Sequence, residues 1–384
     1  MHFVARCQTL TLLLSSFLWL MLTANPVAAK EAESLRSLIL ISVDGLNQEG
    51  FSSYDKNSLK YLAFDGASTD SCLAVRADTI EAGEASLLTG CLPEEHQHYS
   101  RNDKVEAESL LDVICKSGRS VLLVDGSGGR LQGFARGQKE YVKLDSKLKD
   151  AQVLMKATEL FLERRPFFTY IYLDDCKHTA MRVSSRDHYQ NLKNLDLEIG
   201  KLVKVLKDRE IYNETALIVT ASRSSSATDM VPLIVKSPGI KPNFKLKGVN
   251  VIDVAPTICA LAGMARPYNS SGTVFWNAFV PGENTSGDYL ARKQVEELQR
   301  ERAKVWRLLY QTAKERDRFS HQIEEIKEER ESIFSYAGEK EQTIARLNRR
   351  LALGKSLMAG MGVLFFVALL VEYRWLKRRF MLFK

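Results

Sequence analysis

Between Glu31 and Ser286 the chain alternates short apolar runs with longer stretches whose apolar residues recur at helical spacing. The runs Leu38 to Val43, Val121 to Val124, Phe167 to Leu173, Ala216 to Thr220 and Val231 to Val235 read as strands buried on both faces. Val105 to Lys116, Ala151 to Glu163 and Tyr189 to Lys207 read as the amphipathic helices between them. This alternation predicts an α/β fold, a mostly parallel sheet with helices on both faces. Ligands in such folds bind just beyond the carboxyl ends of strands. The residues to inspect are therefore Asp44-Gly45, Asp125-Gly126, Asp174-Asp175 and Ala221-Ser222-Arg223.

The pattern changes after residue 286. From Val295 to Leu351 a heptad repeat can be written whose a and d positions are mostly apolar, with no proline and many Glu, Lys and Arg elsewhere. Such a helix would be roughly 85 Å long. Arg302, Arg316 and Arg330 fall at a positions, where charge costs stability and can fix register and oligomeric state. Residues 287–350 are expected to be a coiled-coil stalk that makes a homo-oligomer; a single charged helix packed on the globular domain is the other reading.

Ser356 to Val371 carries no charge, and with Lys355 snorkelling the apolar stretch reaches back to Leu351, about the length of a bilayer core. Residues 351–373 are expected to be a transmembrane helix in contact with lipid. The basic tail 374–384, with Arg374, Lys377, Arg378, Arg379 and Lys384, is the flank that the positive-inside rule places in the cytoplasm. At the other end His2 and Arg6, the apolar run Leu10 to Leu22 and Val27-Ala28-Ala29 read as a secretory signal peptide over residues 1–29. The expectation is a single-pass type I membrane protein with an exported domain, residues 30–286, on the extracytoplasmic side.

Composition adds constraints. The 384 residues are 45% hydrophobic and 26% charged, which excludes a disordered or fibrous chain. The net charge of +7 is dispersed, and its densest cluster follows the apolar stretch, so it speaks for membrane topology and not for nucleic acid. Six cysteines with no CxxC pair argue against a zinc ribbon; Cys7 leaves with the signal peptide, and the five that remain cannot all pair within one chain. Asn213, Asn269 and Asn284 head sequons that would be glycosylated in a eukaryotic secretory lumen.

Several of these segments carry a resemblance. Ile39 to Gly45, Ala85-Ser-Leu-Leu-Thr-Gly90 followed by Pro93-Glu-Glu-His96, Asp174 with His178, Ala216 to Thr220, Val231 to Val235, Ser237-Pro-Gly-Ile and Asp253-Val-Ala-Pro-Thr resemble the alkaline phosphatase superfamily, and within it the type I phosphodiesterase and nucleotide pyrophosphatase branch. The resemblance spans roughly residues 37 to 264. It implies a phosphoester hydrolase with two metal ions, usually zinc, which activate a Thr or Ser nucleophile and neutralise the oxygens of an in-line displacement.

Carried onto this chain, the resemblance makes Asp44, Asp174 and His178 the candidate metal ligands. The nucleophile's place falls at Ile80, and Thr79, one residue away, is the candidate catalytic hydroxyl. Arg223 stands where a ligand histidine is expected, and no histidine lies between His188 and His321. The centre therefore reads as dismantled, with Asp44 and Arg223 as its vestige and either no cofactor or one residual zinc. Arg223 is expected to pair with Asp44 through two parallel hydrogen bonds while its other donors hold an anionic ligand; a solvated Ser-rich loop is the alternative. Asp44 has a second reading as a cap after its strand, and Asp174 with His178 as a polar pair. His96 and His98 read as solvated loop histidines, and Asp187-His188 as an exposed helix start. The leading function is a membrane-tethered pseudoenzyme that binds a partner or anion. The alternatives are a metal-dependent phosphodiesterase or phosphatase using Thr79, and a structural coiled-coil membrane protein.

Overall fold

The computed structural model describes residues 34–380 apart from 54, 56, 102, 138, 177–185, 225–228, 283 and 284. The signal-peptide segment, the Asn284 sequon and the end of the basic tail lie outside the described residues.

The continuous apolar runs become one eight-stranded sheet because side chains on both of its faces must be covered. In chain order the elements are β1 (Ser37–Val43), α1 (Gln48–Ser53), α2 (Ser58–Phe64), β2 (Ala67–Leu73), α3 (Ile80–Thr89), α4 (Pro93–His96), α5 (Leu110–Lys116), β3 (Val121–Asp125), β4 (Glu140–Lys143), α6 (Asp150–Arg164), β5 (Phe168–Leu173), α7 (Arg186–Asp208), β6 (Thr215–Thr220), β7 (Met230–Lys236), β8 (Phe244–Lys245), α8 (Val254–Leu261) and α9 (Gly287–Phe380). The sheet order is β4-β3-β5-β1-β6-β7-β2-β8. Strands β4, β3, β5, β1 and β6 run parallel, whereas β7 is antiparallel to both β6 and β2. The expected strands are all present, and β2, β4 and β8 join them. β4 and β8 are short edge strands, and β2 reads Ala-Ser-Thr-Asp-Ser-Cys-Leu with a register shift between Thr69 and Cys72, so none of the three has an apolar run to announce it.

β1 lies between β5 and β6, and Leu38 to Ile41 and Val43 are buried with Phe168, Tyr170, Tyr172, Leu217 and Val219 around them. α7 buries Leu192, Leu195, Ile199, Leu202 and Leu206 at helical spacing. Its Asp196 is buried too, because its carboxylate takes the amides of Asn57, Ser58 and Leu59 at 3.0, 3.3 and 2.8 Å and so satisfies the start of α2. The helix expected from Val105 begins only at Leu110. Ser109 and Asp112 form a capping box there, and Arg136 holds the carbonyls of Val105 and Ala107, which removes them from any helical ladder.

The expectation of solvated loop histidines is overturned, whereas α7 does start at Arg186 with Asp187 exposed and only His188 turned inward. His96 and His98 are almost fully buried, and so is His188 near the start of α7. Polar neighbours bring the first inside: His96 Nδ1 accepts the His98 amide at 3.0 Å while its Nε2 meets the Ser86 hydroxyl at 2.9 Å. Burial holds His96 at about 4, well below the ordinary imidazole value, and lowers His98 and His188 as well. The five described cysteines are free thiols, four of them buried.

The helix α9 is a separate unit from Arg302 onward. It runs without a break through the heptad segment and the apolar segment, with Val305, Leu309, Phe319, Ile323, Ile326, Ile333, Ile344, Leu347 and Leu351 all exposed. It is also long and apolar enough to cross a membrane.

Candidate functional site

The strand order β3-β5-β1-β6 sets Asp125, Asp174-Asp175, Asp44 and Ser222-Arg223 side by side along the carboxyl edge of the sheet. Two of these carboxylates, Asp125 and Asp175, are engaged locally. Asp125 accepts the amides of Ser127 at 2.8 Å and Leu131 at 3.0 Å and the Tyr141 hydroxyl at 2.7 Å, which fixes the loop after β3. Asp150 accepts the Asp174 amide at 3.0 Å and the Asp175 amide at 3.2 Å, and Asp175 accepts the Asp150 amide in return at 2.9 Å. Burial together with the charge of Asp175 raises the Asp150 carboxyl to about 7.

The centre of the edge is built differently. The Asp44 amide extends the β1–β5 ladder by donating to Leu173 at 2.8 Å, and Gly45 follows at φ 88°, a backbone turn that glycine takes without steric cost. The carboxylate is consequently fixed and fully buried. Its Oδ2 accepts from the Tyr172 hydroxyl at 3.2 Å and from an Arg223 terminal nitrogen at 3.1 Å. Only one hydrogen bond links Arg223 to Asp44, not the two parallel ones expected from the sequence: Arg223 Nε and Asp44 Oδ1 are both buried without a partner among the described residues. Arg223 is thus drawn in beside the sheet edge, its side chain 18% exposed.

α3 closes the site from above. All ten of its residues are buried, and Gly83 lets it approach the β6 edge: a Cβ there would come within 3.1 Å of Ser222 Oγ and 3.3 Å of Arg223 Cβ. One residue on, Glu84 is fully buried beside the pair. It accepts from Ser42 at 2.8 Å through Oε1 and from the Tyr170 hydroxyl through Oε2. Burial pushes its carboxyl up to about 8, and the nearby Asp44 charge acts in the same direction against Arg223 and the serine hydroxyls. Glu84 is therefore mostly a neutral acid at pH 7, beside a charged pair. It was missing from the sequence reading. The available signal was a lone carboxyl in Ala82-Gly83-Glu84-Ala85-Ser86-Leu87-Leu88, a stretch too apolar to leave it in water.

Of the residues singled out by sequence, the structure joins Asp44 to Arg223 and sets Asp174 on the neighbouring strand. Thr79 is the N-cap of α3: its Oγ1 accepts the Ala82 amide at 3.2 Å, and among the described residues it makes no hydrogen bond to Asp44, Glu84 or Arg223. Ile80, in the nucleophile's place, is buried. His178 lies outside the described residues. A catalytic zinc site takes three protein ligands. Among the described residues no group of three His, Cys, Asp or Glu side chains is placed to hold a metal, and one of the two Asp44 oxygens already carries a guanidinium. The described residues do not fit the two-metal centre implied by the resemblance.

Comparison with known proteins shows this fold to be similar to that of solved phosphodiesterase and phosphonate hydrolase structures. Residues 124–232 match the family model for type I phosphodiesterase / nucleotide pyrophosphatase. Human ectonucleotide pyrophosphatase / phosphodiesterase 5 superposes with a TM-score of 0.55 at 14% identity, over 63% of this chain and 98% of that one. The phosphonate monoester hydrolase of Silicibacter pomeroyi superposes at 0.50 with 16% identity, over 64% and 78%. Mouse arylsulfatase K is 27% identical over 100 residues, 22% of this chain and 18% of that protein, and the choline-sulfatase of Rhizobium meliloti is 25% identical over 105 residues, 24% and 20%. The matched region thus spans about a fifth of the length of these curated relatives.

Proposed function

We propose that the chain is a membrane-anchored pseudoenzyme: a phosphodiesterase-like domain whose catalytic centre has become a fixed polar core, displayed on the helical stalk as a binding or scaffold module. The observation that carries this reading is the Arg223–Asp44 hydrogen bond at 3.1 Å. Hydrolysis of a phosphoester by this fold's implied chemistry requires a metal-activated hydroxyl beside that carboxylate. Here a guanidinium takes the place of the cation, and a buried isoleucine takes the place of the hydroxyl.

A guanidinium neutralises one carboxylate but cannot lower a nucleophile's pKa as a coordinated dication does. Arg223 thus serves stability, by compensating Asp44 in a site that Glu84 enters uncharged. The same cation makes the strand edge the place to look for an anionic ligand, a phosphate or sulfate ester that is held without being cleaved. The anchor is residues 351–373 and the bulk is extracytoplasmic, a topology supported by the apolar segment of α9 and the basic residues Arg374, Lys377, Arg378 and Arg379 after it.

The test is turnover of bis(p-nitrophenyl) phosphate and p-nitrophenyl sulfate by the purified full chain, with and without added zinc. Rates no higher than those of Asp44→Ala are expected. Zinc-stimulated turnover that Asp44→Ala abolishes would overturn the proposal and make Thr79 the residue to mutate next.

A further inference from the structure

The apolar stripe on α9 is exposed along its length, and its charge pattern specifies a partner. In the heptad frame from Val295, the apolar seam holds Val305, Leu309, Phe319, Ile323, Ile326, Ile333, Ile344, Leu347 and Leu351, each more than half exposed. A helix of this length with an apolar stripe open to water gains its stability from burying that stripe against another helix. The seam is interrupted at a by Arg302, Arg316 and Arg330, fourteen residues apart. Each is immediately preceded by glutamate, Glu301, Glu315 and Glu329, and each glutamate falls at g.

That adjacency matters only between chains. In a parallel two-stranded coiled coil the a side chain enters a hole walled in part by the partner's a residue and the g residue just before it. With two copies in register, every seam arginine therefore lies against a partner glutamate. A slip of one heptad puts Gln294, Leu308, Gln322 or Tyr336 at that place, so the arginines would sit in an apolar seam with no carboxylate. An antiparallel pair sets a against d and loses the g-before-a neighbour. In a trimer or tetramer the a position is enclosed more deeply, and the guanidinium groups would crowd at the axis.

We infer that the occupant of this surface is a second copy of this chain, paired in parallel and in register along the helix, with Arg316 and Arg330 each bonded to Glu315 and Glu329 of the partner subunit. In the single chain Arg316 turns instead to its exposed neighbour Asp317, at 2.6 Å, and Arg330 lies over the Phe334 ring at 5.7 Å. Both arrangements are solvent-exposed and are exchanged at little cost on pairing. The inference stands apart from the proposed pseudoenzyme: an active hydrolase could be paired in the same way, and an inactive one could be a monomer.

The experiment is sedimentation of the purified full chain in detergent together with disulfide trapping. Wild type should sediment as a two-chain species at tens of micromolar. Ile323→Cys, at a, should cross-link to its own copy, whereas His321→Cys, at f, should not, and Ile323→Cys mixed with Arg316→Cys should give only like-with-like products. R316E/R330E should weaken pairing at least tenfold by setting glutamates against glutamates. Adding E315R/E329R should restore it to within about threefold. All these positions are solvent-exposed, so unchanged helicity and an unchanged melting temperature of the globular domain verify that the variants fold. A monomer, a trimer, equal trapping at 321 and 323, one-heptad-offset products, or failure of the reversed charges to restore pairing would each overturn the inference.

Discussion

Replacing Glu84 by glutamine should change how stability depends on pH, and the structure gives the size. The side chain is fully buried with its carboxyl at about 8, whereas an unfolded glutamate titrates near 4.3. Between these values the folded state binds a proton that the unfolded state lacks, so stability is greatest below the unfolded pKa and is lost as pH rises toward the folded one. The loss is about 1.4 kcal/mol per pH unit, or roughly 4 kcal/mol from pH 5 to pH 8. Glutamine mimics the protonated acid: its carbonyl accepts from Ser42 and its amide donates to the Tyr170 oxygen. Glu84→Gln should therefore be close to wild type at pH 5 and more stable by several kcal/mol at pH 8. Chemical denaturation of both proteins at half-unit pH steps measures the difference, in which Asp150 and the histidines cancel because both proteins share them. Parallel curves, or a variant less stable than wild type at every pH, would refute the assignment of a neutral acid.

Arg223→Ala strands the buried Asp44 carboxylate and should cost about 2–3 kcal/mol, less than a fully enclosed pair because Arg223 keeps some solvent access; differential scanning calorimetry should show the domain transition lowered by roughly 5–10 °C. Gly83→Leu should cost a comparable amount, since even its Cβ would press on Ser222 and Arg223, and a melting temperature equal to wild type would show that α3 does not need that close approach. His96→Gln should flatten the fall in stability between pH 6.5 and 4, because a histidine held neutral by burial favours the fold above its unfolded pKa and opposes it as pH drops; an unchanged acid limb in urea titration would exclude this. Protease added to the non-cytoplasmic side of sealed membranes should digest the globular domain and leave a fragment carrying residues 351–384, and full protection of the domain would contradict the proposed topology.

The five central strands β1, β3, β5, β6 and β7, the α/β class and the long final helix were legible in the sequence because each follows from a local period: unbroken apolar runs for strands covered on both faces, heptads for α9. Asp44 and Arg223 were legible as well, since a residue just past a predicted strand must lie at the sheet edge. What a period cannot encode is which edges become neighbours. The order β5-β1-β6 is decided by how all the helices pack, and only that order brings Arg223 onto an aspartate 179 positions earlier in the chain. The same holds for the histidines. A Pro-Glu-Glu-His-Gln-His loop looks solvated by composition, yet Ser86 and the His98 amide supply His96 with partners inside the protein, and a satisfied polar group can be buried. Glu84 shows the converse. Local sequence places a carboxyl on a helix, and only tertiary packing, which encloses every residue of that helix and sets the carboxyl against Ser42, Tyr170 and the Asp44–Arg223 pair, turns it into a neutral acid.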